Sequence, residues 1–202
     1  MSIDHFVQEC RKDPLLLKDA FWPNINFYRK QRDIILSEHH NVETVVVAGN
    51  QLGKDFVAAY ITLKRFLLYH PVRIVTTSAT DRHLNVLWGE IDRFIRAAKV
   101  PLTVERGGPL VYNHHDLKKK INGVVDRGSY LIGAVASSSQ EGEGLAGHHA
   151  QFTLGVIDEA SGVSDIAYKQ MQGWAKKMLI FGNPFDCNNF FRRAVKEGDL
   201  KA

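Results

Sequence analysis

Apolar and polar positions along the chain alternate between short β-rich runs and longer amphipathic stretches. The run T-V-V-V-A is typical of a strand buried on both faces. With four later apolar runs it predicts five strands, over residues 44–48, 72–77, 130–136, 152–158 and 178–182. Apolar residues at helical spacing predict helices over residues 56–69, 81–98 and 166–174. Strands alternating with helices indicate an α/β fold, with a mostly parallel central sheet flanked by helices.

Residues 102–129 interrupt this alternation. They contain Gly107-Gly108-Pro109 and Asn122-Gly123, both turn signals. We therefore predict a short β-hairpin or an irregular excursion there.

Composition excludes several classes of protein. Hydrophobic residues make up 45% of the chain and charged residues 24%, which is ordinary for a soluble globular domain. No apolar run approaches the roughly 18 residues of a membrane span. The two cysteines, Cys10 and Cys187, lack the spacing of a disulfide framework or a zinc site. A reducing cytoplasm fits this composition.

The net charge of +4 permits nucleic-acid binding without establishing it. The densest basic run is Lys118-Lys119-Lys120. We interpret it as a solvated face rather than as a phosphate contact.

A candidate phosphate-binding loop, A-G-N-Q-L-G-K-D, follows the first predicted strand and opens a helix. Its backbone N–H groups would cradle phosphates at the helix N-terminus, and Lys54 would add a mobile cation. The candidate nucleotide-binding residues of this loop are Ala48, Gly49, Asn50, Gln51, Leu52, Gly53, Lys54, Asp55 and Phe56. The alternative is a glycine-rich turn with a surface lysine.

Asp55 departs from the usual pattern of such loops, in which a Ser or Thr hydroxyl meets the Mg²⁺ of the nucleotide. We expect the Asp55 carboxylate to bind the ion directly or through water. Its negative charge near the phosphates is tolerable only with the metal present, so nucleotide affinity should depend strongly on Mg²⁺.

Two further motifs stand at the ends of later strands. Val156-Ile157-Asp158-Glu159 is an apolar strand ending in two acids, of which Asp158 is a candidate Mg²⁺ ligand. Glu159 would orient and polarise a water for attack on the γ-phosphate. Gly182-Asn183-Pro184 ends the last strand, and Asn183 would contact the γ-phosphate or that water. Taken alone, these motifs would be an acidic helix cap and an ordinary turn.

Together, A-G-N-Q-L-G-K-D, S-S-S-Q-E-G-E-G-L-A-G-H-H, G-V-I-D-E-A-S and I-F-G-N-P-F-D resemble the ATPase domain of the large terminase subunit of tailed bacteriophages. The resemblance covers roughly residues 25–192. It implies a P-loop NTPase fold of the additional-strand, RecA-like type. It also implies ATP and Mg²⁺ as cofactors, and hydrolysis that drives double-stranded DNA into a procapsid.

The resemblance further implies roles and partners. Lys54, Glu159 and Asn183 would be catalytic, and Asp158 would hold the metal. The partners would be double-stranded DNA, the portal protein of the procapsid and the small terminase subunit, in the host cytoplasm. The assembled form would be a homo-oligomeric ring, and the isolated chain a monomer.

An upstream segment, F-Y-R-K-Q-R, resembles the adenine-recognition segment of that family. Gln31 would read the adenine edge, and Tyr28 or Phe27 would supply an apolar or stacking surface. The alternative, that these aromatics are core residues at the start of a helix, is equally open.

The chain is interpreted as one ATPase domain over residues 1–202. Residues 1–40 would form a helical, adenine-recognition segment and residues 41–192 the ATPase core. We expect no nuclease domain or nuclease activity, because the acidic residues after Asn183 are too few for a two-metal site. The loop at 48–55 contains no arginine, and Arg127 is one alternative source of an arginine finger.

Two other functions stay open, a superfamily 2-like helicase or translocase domain and a catalytically decayed nucleotide-binding module. The three histidine pairs do not favour a metal site, because adjacent residues on a strand or helix point in different directions.

Overall fold

The computed structural model of the protein describes residues 2–49, 52–136, 143–184 and 187–199. Their helices are α1 (Ile3–Lys12), α2 (Leu16–Phe21), α3 (Arg29–His40), α4 (Lys54–Leu68), α5 (Asp81–Ala97), α6 (Asp165–Gln172) and α7 (Phe190–Asp199). Their strands are β1 (Glu43–Val47), β2 (Val72–Ser78), β3 (Leu110–Asn113), β4 (Asp116–Ile121), β5 (Val124–Val135), β6 (Phe152–Asp158) and β7 (Lys177–Gly182). No helix within these ranges is both long and apolar enough to cross a membrane.

The strands form one sheet in the order β1-β7-β6-β2-β5-β4-β3. The first five in this order run parallel to one another, and β4 pairs antiparallel with both β5 and β3. The predicted α/β fold with a mostly parallel sheet is therefore confirmed. The strand β7, last along the chain, lies between β1 and β6, so the ends of these three strands meet at one edge of the sheet.

The excursion predicted over residues 102–129 forms two consecutive β-hairpins, β3–β4 and β4–β5, that extend the main sheet. Asn122 and Gly123 form the β4–β5 turn with φ angles of 50° and 82°. Strand β5 begins at Val124, six residues before its predicted start at residue 130, because its first half pairs with β4. The apolar run over residues 130–136 covers only the half of β5 that also pairs with β2.

The larger of two apolar cores packs α4 and α5 against one face of the sheet. The N-terminal helices close it through aromatic side chains. Trp22 donates from Nε1 to the Phe94 carbonyl at 2.7 Å, and the Tyr60 hydroxyl donates to the Pro14 carbonyl at 2.7 Å. Each ring thereby buries apolar area while its polar atom keeps a partner. Phe27 belongs to the same core, with only 3% of its surface exposed.

Helix α3 is fixed to α4 and to β7 by a buried cluster of charges. The Glu38 carboxylate accepts hydrogen bonds from Lys64 and Arg65 of α4. Lys177, at the start of β7, donates to the Glu38 carbonyl at 2.6 Å and to the Asn41 carbonyl at 2.6 Å. The ammonium group thus satisfies carbonyls that the end of α3 leaves free. These contacts hold α3 beside the loop that precedes α4.

The interpretation of the lysine run as a solvated face is wrong for its middle member. On β4, successive side chains point to opposite faces. The Lys119 ammonium lies 5.1 Å from the centre of the Phe66 ring and donates to the Tyr69 carbonyl at 2.6 Å. Lys118 pairs with Asp116, and Lys120 is exposed. Burial lowers the pKa of Lys119 to about 8.

This environment predicts a pH-dependent stability. The ordinary lysine pKa is 10.5. Between about pH 8 and that value, the unfolded chain holds a proton that the folded chain has released, so the free energy of unfolding should rise with pH. Urea unfolding across this window should show that the rise attributable to this site is lost in Lys119→Met. The exposed control Lys120→Met should keep the wild-type slope, and equal slopes in all three proteins would contradict the assignment.

Candidate nucleotide-binding site

The predicted phosphate-binding loop lies at the carboxyl end of β1. The Ala48 N–H donates to the Gly182 carbonyl at 3.0 Å, which continues the β1–β7 pairing into the loop. Asn50 and Gln51 lie outside the described residues. Gly53 caps α4 in the left-handed region at φ 69°. A Cβ at Gly53 would lie 2.7 Å from Nε2 at the end of the Gln31 side chain, which can move, so it is the left-handed backbone conformation that favours glycine here.

The start of α3 packs directly on this loop. Gln31 Nε2 donates to the Gly53 carbonyl at 3.4 Å, and its Oε1 accepts from the Tyr28 N–H at 3.4 Å. The Tyr28 hydroxyl donates to the Leu52 carbonyl at 2.5 Å. Both ends of the Gln31 amide are therefore bonded to protein, and reading an adenine edge would require their release. That role stays a prediction.

The aromatic residues of the adenine-recognition segment divide between two environments. Phe27 is a core residue, whereas Tyr28 is 49% exposed. Phe56, assigned to the nucleotide site, packs its ring against Phe27 and Phe94 with centroid distances of 5.7 and 4.8 Å. Its half-buried side chain thus packs against the core, and its backbone N–H lies in the first turn of α4.

A cleft of about 560 Å³ opens between α3 and β1, beside Lys54. Tyr28, Lys30 and Asp33 of the α3 region line one wall, and Val45 to Ala48 line the other. This volume falls within the range of small-ligand pockets, about 300 to 1,000 Å³. The cleft has the size and the mixed lining expected for the base and sugar of a nucleotide.

The predicted catalytic side chains meet at the same edge of the sheet. The Lys54 ammonium donates to Glu159 Oε1 and lies 3.4 Å from Asp158 Oδ1. Asn183 Nδ2 donates to the other Glu159 oxygen, Oε2, at 2.8 Å. Lys54, Asp158 and Asn183 are each at least nine-tenths buried. The ends of β1, β6 and β7 therefore bring together four residues that are up to 129 positions apart.

Charge balance in this group depends on Lys54. Burial alone would lower the pKa of Lys54, but Asp158 and Glu159 outweigh burial and raise that pKa. Burial raises the pKa of Asp158 to about 7, and the neighbouring Asp55 carboxylate adds to the rise. Burial likewise raises the pKa of Asp55, despite the opposing effect of Lys54. The group holds more negative charge than one ammonium neutralises, as expected for a site that receives a further cation.

The residues present fit a magnesium ion bound together with phosphates. Asp158 Oδ1 and Asn183 Oδ1 are buried and accept no hydrogen bond from the described residues. Within the same ranges, no three His, Cys, Asp or Glu side chains form a complete metal cage. Mg²⁺ is commonly held by one or two carboxylates, with phosphate and water as its other ligands. Asp158 and Asp55, which contact each other, are the carboxylates placed for this role.

Glu159 is held in an unusual backbone conformation. Its φ is 52°, a left-handed value that non-glycine residues adopt rarely. Directly after it, residues Ala160–Gly162 form a 3₁₀ turn. The carboxylate is thereby turned back toward Lys54 and Asn183.

Packing against α7 explains the glycine of the Gly182-Asn183-Pro184 motif. A Cβ at Gly182 would lie 2.4 Å from the Phe191 ring of α7, so the close approach of α7 to β7 requires glycine. The residues following Pro184, Phe185 and Asp186, lie outside the described ranges.

Several residues that the sequence suggested as candidates lie away from the edge of the sheet where Lys54 and Glu159 meet. Arg127 lies near the start of β5, three residues before the Tyr130–Arg73 pair, at the end of the strands opposite to Lys54. It therefore does not supply an arginine finger to the site of its own chain. His148 is bonded to the Tyr130 hydroxyl at 2.7 Å, and His114 and His115 both contact Asn85.

Two contacts of the site were not predicted from the sequence. One is the direct pairing of Lys54 with Glu159, for which the opposite charges that follow β1 and β6 were the available signal. The other is Asn189, whose side chain bonds to the turn that follows Glu159. An Asn directly before an amphipathic segment is a helix N-cap signal, and it could have identified this position.

Several known structures have a fold similar to that of this chain. The structure is similar to the large terminase of bacteriophage HK97, at a TM-score of 0.60 and 13% identity over 100% of this chain and 42% of that chain. It is also similar to a mutant of the large terminase ATPase domain of Thermus phage P74-26, at 0.63 and 15% over 84% of this chain and 70% of that one. The chain has the fold of a phage large-terminase ATPase domain.

A third similar structure is the large terminase of another thermophilic bacteriophage, in complex with ADP. Its TM-score is 0.55 and its identity 12%, over 87% of this chain and 44% of that chain. The chain thus spans less than half the length of the HK97 terminase and of this ADP-bound terminase. No protein-family model matches the sequence, and no curated protein matches it. The fold of the large-terminase ATPase domain agrees with the predicted RecA-like architecture.

The charge balance predicts the effect of removing Lys54. Lys54→Met leaves buried carboxylates without their cation, so without Mg²⁺ the free energy of unfolding should fall by about 3 kcal/mol. Adding Asp158→Asn should recover part of that loss, because it removes one of the unpaired charges. Denaturant unfolding in EDTA measures both effects, and an unchanged stability in Lys54→Met would contradict the pairing.

Proposed function

We propose that this chain is a Mg²⁺-dependent ATPase. The observation that carries the proposal is the convergence of Lys54, Asp158, Glu159 and Asn183 at the end of a glycine-containing loop and the N-terminus of α4. This group combines a phosphate-binding element, a carboxylate for the metal and a second carboxylate for water. Phosphoryl transfer from a nucleotide requires these three functions.

Phosphate binding is the task of the loop and of α4. The first N–H groups of α4 have no partner within the helix and carry its partial positive charge. Lys54, the first residue of α4, adds a full charge at the same place. The base and sugar would occupy the cleft between α3 and β1.

Asp158, with Asp55 beside it, would hold the Mg²⁺ that accompanies the nucleotide. The bound ion would neutralise charge that develops on the phosphate oxygens. It would also compensate the Asp55 carboxylate. Asp55 would then do with a carboxylate what a Ser or Thr hydroxyl does in related loops.

Glu159 would act as the base that orients and polarises the attacking water. In the structure its carboxylate is occupied by Lys54 and Asn183. A γ-phosphate near Lys54 offers the ammonium an alternative anionic partner. Binding of ATP would therefore release one oxygen of Glu159 toward the water, while Asn183 keeps the other oxygen in place.

We further propose that hydrolysis drives double-stranded DNA into a procapsid. The fold shared with phage large terminases supports this proposal. Its partners would be the portal protein and the small terminase subunit, and several copies of the chain would form a ring. In such a ring a neighbouring copy would be one possible source of an arginine finger, and Arg127 would not supply one to the site of its own chain.

Substitutions at Glu159 and Lys54 should separate binding from hydrolysis. Glu159→Gln keeps the size of the side chain but removes the base, so kcat should fall by at least about 100-fold. Its affinity for Mg²⁺-ATP should stay close to that of the wild type. Lys54→Ala should weaken binding as well as hydrolysis.

Steady-state ATPase assays and titration calorimetry measure these two properties. Wild-type turnover in both variants would contradict the proposal. A wild-type protein that binds no Mg²⁺-ATP would instead favour a decayed nucleotide-binding module.

The role of Asp55 predicts an unusual dependence on magnesium. Removing Mg²⁺ exposes the phosphates to the Asp55 carboxylate, so the Kd for ATP should rise by about tenfold or more, a loss of ~1.4 kcal/mol. Asp55→Ser restores the usual hydroxyl and should retain ATPase activity with a smaller rise. Calorimetry with and without EDTA tests this, and an equal ATP affinity in both conditions for the wild type would argue against it.

A further inference from the structure

The backbone turn that follows Glu159 is held by a side chain from another part of the chain. Asn189 stands immediately before α7. Its Nδ2 group donates to three carbonyls, those of Ala160 at 2.8 Å, Ser161 at 3.3 Å and Val163 at 2.8 Å. One amide group therefore fixes the whole turn between Glu159 and the segment that leads to α6.

The turn after Glu159 requires stabilising contacts such as those of Asn189. A left-handed φ at a glutamate is sparsely populated and persists only where the surroundings hold it. Within the turn, the Gly162 N–H donates to the Glu159 carbonyl at 2.9 Å. Without Asn189, the carbonyls of Ala160 and Val163 would each lose a side-chain donor at 2.8 Å.

The position of Asn189 is itself fixed by α6 and α7. Its Oδ1 accepts the Phe191 N–H at 3.2 Å. The neighbouring Phe190 N–H donates to Asp165 Oδ1 at 2.6 Å, and the Phe190 ring stacks on Tyr168 at a centroid distance of 4.2 Å. The start of α7 is thus anchored on α6, and Asn189 connects it to the turn.

We propose that Asn189 is a positioning residue for Glu159. Asn183 orients the carboxylate end of Glu159, and Asn189 fixes its backbone end. The inference rests on the proposed ATPase function, in which Glu159 orients the water. It assigns to the start of α7 a connection to Glu159 through the turn that follows it.

The test compares three variants by kcat, KM and Mg²⁺-ATP affinity. Asn189→Asp keeps the shape of the side chain but places a carboxylate against three carbonyl oxygens. Asn189→Ala only removes the donor. Both substitutions should lower kcat by about 10- to 100-fold, because they displace a catalytic group. The decrease should be larger for Asn189→Asp than for Asn189→Ala. KM and the Kd for Mg²⁺-ATP should stay within about threefold of the wild type. The exposed neighbour Asn188→Ala is the matched control and should retain wild-type kcat.

A second comparison distinguishes positioning from general loosening of the fold. In single-turnover assays on a Glu159→Gln background, adding Asn189→Ala should change the residual rate by less than about twofold, because its effect acts through Glu159. A further fall equal to that seen in the wild-type background would overturn the proposal. So would an unchanged kcat in Asn189→Ala, or parallel losses of kcat and affinity.

The role of Asn189 can be tested even if one variant does not fold. Should Asn189→Asp not fold, the comparison of Asn189→Ala with Asn188→Ala decides the question alone. A wild-type chain that binds Mg²⁺-ATP without hydrolysing it would refute the ATPase proposal. That outcome differs from an active wild type whose kcat does not depend on Asn189, which refutes only the role of Asn189.

Discussion

The candidate site depends on one ammonium group, that of Lys54, which neutralises only part of the charge of three neighbouring carboxylates. Lys54 is buried between Asp158 and Glu159, and Asp55 lies in contact with Asp158. Carboxylates removed from water are costly unless a cation lies close to them. Before nucleotide binds, that cation is Lys54. In the proposed loaded site Lys54 would turn to the phosphates, and a bound Mg²⁺ would supply positive charge to the carboxylates. Nucleotide binding and release of Glu159 would then be one exchange of ionic partners.

The order of the strands makes this exchange possible. Strand β7 separates β1, which leads to the loop, from β6, which ends in the two acids. Asn183 at the end of β7 therefore lies beside Glu159. The Phe191 ring of α7 packs against Gly182, the preceding residue of β7. Glu159 is thus connected to α7 by a short series of contacts through Asn183 and Gly182. In a motor of the proposed kind, such a path would transmit hydrolysis to movement of the protein.

The sequence predicted the parts of the site that depend on strand ends. Parallel strands place their carboxyl ends at one edge, so a glycine turn, an Asp-Glu pair and Gly-Asn-Pro after apolar runs were expected to meet. The contacts of Phe27, Tyr28 and Gln31 were not predictable in this way. Adjacent aromatics at the start of a helix point in different directions, and only packing decides that Phe27 enters the core while Tyr28 lines the cleft.

Two other features involve contacts that the local sequence does not reveal, even where it marks a residue such as Asn189 as a helix N-cap. A run of three lysines suggests solvent, but strand geometry places Lys119 against Phe66. Asn189 acts on carbonyls that precede it by some 26 to 29 positions, and only the tertiary fold brings them together. Both depend on long-range geometry rather than on local sequence.

The central claim is that Lys54 exchanges Glu159 for phosphate when ATP binds. A crystal structure of the protein with Mg²⁺ and a non-hydrolysable ATP analogue tests it most directly. The account predicts that Lys54 Nζ lies within hydrogen-bonding distance of a phosphate oxygen, that Asp158 lies at the metal, and that Glu159 remains bonded to Asn183 but no longer to Lys54. A structure in which the analogue occupies the loop while Lys54 still pairs with Glu159, or in which the analogue binds elsewhere, would contradict it.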